Sequence, residues 1–249
     1  MPKPEPDANP TESATRRTGG PARTHVSGRH QAAPPAEPMS YEEFLAWAGE
    51  DTLAEWVDGR VVMYSPAGDR HQDVCGFLEA VLRVYVESRG LGVVRSGPFQ
   101  MKLARSGREP DVMFVAREHL GRLQQTHLDG PADLAVEILS PESRSRDRGE
   151  KFYEYEEGGV REYWLVDPDR RQAEFYQLGE DGRYRLVQPD ADGRYHSAAV
   201  PGFWLRVDWL WQETLPEVEQ VMLEVGGAEY AQRWIDRLRR AGFLDTGRD

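Results

Sequence analysis

The run Leu134-Ala135-Val136-Glu137-Ile138-Leu139 constrains this chain more than any other segment. Five of its six residues are apolar, so it reads as a strand buried on both faces. A carboxylate in the middle of such a strand is costly unless a cation pairs with it or it holds a metal. Any fold this sequence adopts must therefore bring a partner to Glu137.

Two partners stand out nearby. Asp111 follows Pro110 and opens a second apolar run, Asp111-Val112-Met113-Phe114-Val115; proline is tolerated at the first position of a strand. Lys151 lies on the next amphipathic stretch, between Asp147 and Tyr155 at four-residue intervals on one helical face. Two carboxylates at the ends of β-type runs offer the oxygen ligands that hard divalent cations require. An adjacent ammonium neutralises charge developing on a phosphate or orients a water. The set points to metal-assisted phosphodiester hydrolysis. Plainer readings stand beside it: Asp111 as a turn aspartate, Glu137 in a structural salt bridge, and Lys151 in a surface pair with Asp147.

Further candidates flank this set. Glu55 precedes a hairpin pattern and His71 opens the longest helical pattern; a carboxylate there would complete a metal shell and a histidine would serve as base or phosphate contact. The plainer reading of each is a surface or cap residue. Arg144, Arg146 and Arg148 form the densest basic run after the N-terminal stretch and are candidates for phosphate contact or for a solvated loop. Tyr153, Tyr155, Tyr163 and Trp164 read as core or sheet-face aromatics, and Cys75 as a small buried residue.

The order of elements gives the fold class. Residues 1–38 are rich in Pro, Ala, Thr, Gly and Arg, without apolar periodicity, and are expected to be a disordered tail. Ser40 and Glu43 form a capping-box pattern ahead of a short helix. Glu55–Met63 reads as a hairpin turning at Asp58-Gly59. Val74, Phe77, Leu78, Val81, Leu82 and Tyr85 mark one face of a long helix capped by Gly90. Strands follow at 93–94, 99–103, 111–115 and 133–138, then a helix over about 146–157, a strand at 162–166, a meander through 173–188 and a helical C-terminus. Residues 39–212 are expected to form one domain and 213–249 a helical extension. The implied architecture is α/β (α+β), a mixed β-sheet with one helix layer carrying Val74–Tyr85 and the other carrying Lys151.

Charge narrows the function. The formal net charge of the 249-residue chain is −12, which argues against a protein that coats nucleic acid non-specifically. The first 38 residues carry five basic against four acidic side chains, so the acidity lies in the remainder. A single cysteine fits a reducing, cytoplasmic setting. No apolar run is long enough for a membrane span.

Taken in order, Glu109-Pro110-Asp111, Val136–Ser143, Asp147 with Lys151 and Tyr155, and Gly159–Pro168 resemble the Uma-two family, restriction-endonuclease-like proteins of the PD-(D/E)XK nuclease superfamily. Asp58–Pro66 with His71-Gln72 resemble that family's hairpin and the start of its long helix. The resemblance spans about residues 40–211. It implies a restriction-endonuclease-like mixed β-sheet flanked by helices, with an N-terminal hairpin and a C-terminal β-meander. It implies Mg²⁺ or Mn²⁺ held by Asp111 and Glu137 with the Ile138 carbonyl, and DNA as substrate. The superfamily's usual lysine lies two residues beyond the glutamate. That place is Leu139 here, and the family supplies the amine from the following helix, which is Lys151. The leading expectation is a cytoplasmic, homodimeric Mg²⁺-dependent endonuclease, with Asp111, Glu137 and Lys151 catalytic and Glu55 and His71 auxiliary. The rivals are a non-catalytic nucleic-acid- or protein-binding module on the same fold, and a scaffold whose meander at 173–188 pairs with a second copy.

Overall fold

The computed structural model describes residues 34–49, 52–65 and 67–244; the expected N-terminal tail falls on residues 1–33, outside them, apart from its last few positions. In chain order the elements are α1 (Tyr41–Trp47), β1 (Ala54–Val57), β2 (Arg60–Met63), α2 (Asp69–Arg89), β3 (Gly92–Ser96), β4 (Gln100–Lys102), β5 (Ser106–Arg108), β6 (Val112–Ala116), β7 (His127–Asp129) and β8 (Leu134–Ile138). They continue with α3 (Arg144–Arg148), α4 (Glu150–Gly158), β9 (Glu162–Asp167), β10 (Gln172–Leu178), β11 (Tyr184–Val187), β12 (Arg194–His196), β13 (Trp204–Arg206) and α5 (Val218–Arg240).

Local chemistry sets several boundaries. Ser40 and Glu43 close a reciprocal capping box on α1. Asp58 and Gly59 take the positive φ angles, 48° and 81°, that a tight hairpin turn between β1 and β2 demands. Gly90 caps α2 in the left-handed conformation. The sequence predicts one helix over 146–157; the structure breaks it at Gly149 into α3 and α4. A Cβ at Gly149 would lie 2.8 Å from the Ser145 carbonyl oxygen, so the break depends on the missing side chain.

The strands form two larger sheets and a small hairpin rather than one sheet. The six-stranded sheet runs β11-β10-β9-β8-β6-β3, the five-stranded sheet β2-β1-β5-β4-β7, and β12 pairs with β13. In the six-stranded sheet only β8 and β9 are parallel, joined by the crossover through α3 and α4; the other pairs are antiparallel. The fold is thus a mixed α+β arrangement with helices on both faces of the main sheet.

The pleat sorts the core into two layers. Val112 and Phe114 on β6, Leu134, Val136 and Ile138 on β8, and Trp164 and Val166 on β9 face α2 and α5. Met113 and Val115, Ala135 and Leu139, and Tyr163 and Leu165 face the opposite way, toward Tyr155 of α4. Glu137 falls in this second register, where the alternation calls for another apolar residue. It therefore points at the helix that carries Lys151. On the first face, the C-terminal helix α5 buries Val221, Met222 and Val225 in the same core as α2.

Glu162 anchors the chain's later part. Its fully buried carboxylate accepts from the Trp164 Nε1, the Tyr195 and Ser197 hydroxyls, and the amides of Ala198 and Ala199. With five donors it meets the requirement that a buried charge be satisfied, and it ties the β12–β13 region to the start of β9. Among the described residues, no helix is long and apolar enough to cross a membrane.

Candidate active site

Strand register brings the two carboxylates together. β6 and β8 pair antiparallel with Val112 opposite Val136, so one further step sets Asp111 opposite Glu137. Directly opposed like charges repel in an antiparallel pair; this placement calls for compensation. Part of it is local: the Ile138 amide donates to Asp111 Oδ2 at 2.6 Å. His71, in the first turn of α2, sets its Nε2 3.3 Å from the same oxygen. Burial would lower the His71 pKa, but the bond to Asp111, that carboxylate's charge and the Ile138 carbonyl raise it. The imidazole Nδ1 is buried without a hydrogen-bond partner.

Lys151 arrives from the first turn of α4 with its side chain only 4% exposed. Its Nζ lies 2.9 Å from Glu137 Oε2, 3.2 Å from Glu55 Oε1 and 3.4 Å from Asp147 Oδ1. One ammonium thus faces three buried carboxylates. Burial alone would push its pKa down, and the three negative neighbours reverse that and hold it protonated. For Glu137, burial dominates and raises its pKa well above the usual range, with Lys151 opposing and Asp147, Asp111 and Glu55 adding to the rise. Tyr155 donates to Glu137 Oε1 at 2.8 Å, so both oxygens of that carboxylate are held.

Glu55 belongs to β1 and is buried, not a surface or cap residue ahead of the hairpin. Its Oε2 accepts from Arg108 Nη1 at 3.0 Å and its Oε1 from the Glu109 amide at 3.1 Å. Burial would raise its carboxyl; Lys151 and Arg108, helped by that amide, bring it down to about 2. Arg108 has no solvent exposure and also grips Glu154 of α4 through two bonds, at 2.6 and 2.8 Å. The chain Glu154–Arg108–Glu55–Lys151–Glu137 therefore crosses from α4 through the five-stranded sheet and back to β8.

The five candidate residues, Asp111, Glu137, Lys151, Glu55 and His71, all line one cleft of about 780 Å³ between α2, the β1–β2 hairpin and the β8–α3 connection. The sequence places Asp147 and Tyr155 on the Lys151 face, but as a surface pair and a core aromatic; both are buried and turned into the site. Tyr153, expected in the core or on a sheet face, is instead exposed. Arg108 is absent from the sequence reading, because its partners are 53 and 46 residues away in sequence.

The donor set fits a small divalent cation. Asp147 Oδ1 is buried and makes no hydrogen bond, and three of the four carboxylates, Glu55, Glu137 and Asp147, share one ammonium. Among the described residues, no three Asp, Glu, His or Cys side chains form a ready-made metal cage. Mg²⁺ does not need one: it keeps several waters and binds through one or two carboxylates plus substrate phosphate. Asp111, Glu137 and the Ile138 carbonyl match that mode. Glu137 can accept a cation beside its two donors because a carboxylate offers about four lone-pair sites.

Comparison with known proteins agrees with this fold. Residues 41–208 match the Uma2 family, described as "Putative restriction endonuclease", and the chain belongs to that family. An uncharacterized protein of Synechocystis sp. is 23% identical over 186 residues, covering 74% of this chain and 96% of its own. A crystal structure described as a "putative nuclease belonging to DUF820" from Anabaena variabilis superposes with a TM-score of 0.59 at 16% identity. The match covers 70% of this chain and 98% of that one. At that identity the likeness concerns the fold.

Proposed function

We propose that this protein is a Mg²⁺- or Mn²⁺-dependent endonuclease that hydrolyses phosphodiester bonds in DNA. The observation that carries the reading is the juxtaposition of Asp111 and Glu137 at the end of β6–β8, with the Lys151 ammonium 2.9 Å from Glu137 in a cleft. Asp111, Glu137 and the Ile138 carbonyl would hold the cation. When bound, such an ion polarises a phosphoryl oxygen and lowers the pKa of a water. Lys151 stays protonated and supplies fixed positive charge toward the pentavalent phosphorus. Tyr155 fixes the Glu137 carboxylate in orientation, and Glu55 with Arg108 fixes Lys151, so the constellation is preorganised. His71 stands at the Asp111 side, where it can hand a proton to, or take one from, a group near that carboxylate.

The test is calorimetric titration of Mn²⁺ into the protein and into Glu137→Ala, run beside cleavage of a supercoiled plasmid. Saturable binding and nicking in the parent, both lost in Glu137→Ala and in Asp111→Ala, support the reading. Cleavage that survives both substitutions refutes it. Duplex binding that survives both substitutions, with no Mn²⁺ uptake and no cleavage in the parent, would instead mark a binding module on the same fold.

A further inference from the structure

The three arginines of α3 are not equivalent. Residues 144 and 148 lie about 40° apart around a helix, and residue 146 lies roughly 200° from Arg144. Arg144 is spent on Asp167, with bonds of 2.8 and 3.1 Å to its two oxygens. Arg148 is spent on Glu174 through bonds of 2.6 and 3.0 Å, with Asp167 a further 3.8 Å contact. Arg146 points the other way and lines the cleft that holds Asp111, Glu137 and Lys151. Its nearest carboxylate among the described residues is Asp147, at 4.0 Å. Its Nε is buried without a hydrogen-bond partner.

The charge in the cleft sharpens this contrast. Besides Arg146, the basic side chains of its wall are Lys151 and His71. Lys151 is enclosed by three carboxylates and His71 is turned to Asp111. The rest of the charged wall, including Glu109, Glu142 and Glu79, is acidic. Among the described residues, a polyanion entering here meets one guanidinium with free donors, and guanidinium geometry suits two oxygens of one phosphate.

We propose that Arg146 binds a backbone phosphate of the polynucleotide at the mouth of this cleft, setting the register of the strand against Asp111 and Glu137. The inference rests on the nuclease reading for its ligand class and adds a substrate-binding residue to it. Phosphate contacts of this kind position a strand without reading its sequence, so the effect is uniform across DNA sequences.

Anisotropy of a fluorescein-labelled DNA duplex, titrated with the full chain at several salt concentrations and with Ca²⁺ replacing Mg²⁺, tests it. Cleavage kinetics in Mg²⁺ run in parallel. Arg146→Ala should weaken duplex binding roughly tenfold to a hundredfold. It should lower the salt slope by about 1 and raise KM more than it lowers kcat, with an unchanged melting temperature. Arg146→Lys should restore the slope and part of the affinity. Arg105→Ala, which removes an exposed cation paired, among the described residues, only with Asp58, should leave both as in the parent. Parent-like affinity and slope in Arg146→Ala overturn the proposal while leaving the nuclease reading intact. Loss of binding in Arg146→Ala from a parent that binds but never cuts supports the proposal and sinks the nuclease reading. A parent that binds no duplex at any salt concentration overturns both.

Discussion

Replacing Lys151 by methionine removes one charge while keeping most of the side chain's length, and the structure sets the size of the consequence. The ammonium lies 2.9, 3.2 and 3.4 Å from oxygens of Glu137, Glu55 and Asp147. At an effective dielectric of about 20 each contact is worth about 5 kcal/mol of Coulomb attraction. Desolvation of several kcal/mol per ion offsets most of that sum. What the variant suffers is what remains: three buried carboxylates, of which Glu55 keeps Arg108 at 3.0 Å, Asp147 keeps Arg146 at 4.0 Å, and Glu137 keeps no cation among the described residues. Breaking a buried pair from one side costs about 3–5 kcal/mol, which for a domain of this size is roughly 6–20 °C in Tm. The pH dependence has a definite sign. The Glu137 carboxyl is already raised and rises further without its ammonium, so the variant gains protons on folding. Its deficit is smallest in mild acid and grows as pH rises through the folded pKa. Urea denaturation of parent and variant at about pH 5 and about pH 8 measures both effects. A deficit under about 1 kcal/mol, the scale of an exposed pair, or a deficit that shrinks toward alkaline pH, would refute the reasoning.

Glu55→Gln tests the other end of the network. The Glu55 carboxyl is held at about 2 against its usual 4.5. It contributes about 3 kcal/mol that is present above the usual value and lost as pH falls toward 2; acid-denaturation curves of the variant should lack that limb. Tyr155→Phe deletes one of the two donors on Glu137, and plasmid-nicking rates should fall by about tenfold, the worth of one charge-assisted bond. Glu162→Ala strips the acceptor from five donors and should cost at least about 3 kcal/mol by thermal denaturation, with near-UV dichroism reporting the disturbance around Trp164.

The elements of this fold were legible where a local rule governs them. Gly90, Asp58-Gly59 and the Ser40–Glu43 box end or begin elements through backbone geometry alone, and each stands where the sequence places it. The break at Gly149 was not legible. Asp147, Lys151 and Tyr155 keep an unbroken four-residue interval across it, so periodicity reads straight through. The division into two sheets was equally hidden, because a strand such as Gln100–Lys102 has the same pattern whichever sheet it joins. At the site, Glu137 was legible because a carboxylate inside an apolar strand violates the pattern. Arg108 violates nothing locally: it sits in a short polar stretch, and only the approach of β1 and α4 makes it a buried ion. Glu55 looked like a surface residue for the same reason.

The ion chain from Glu154 through Arg108, Glu55 and Lys151 to Glu137 has a consequence for descent. These side chains clamp α4 between the two sheets as well as lining the cleft, so a lineage that abandoned catalysis would still be penalised for losing them. Persistence of the glutamate and lysine in a descendant therefore reports a folded protein. Asp111 and Arg146 are the positions to watch: neither belongs to that clamp, and both would be free to drift once no substrate had to be held.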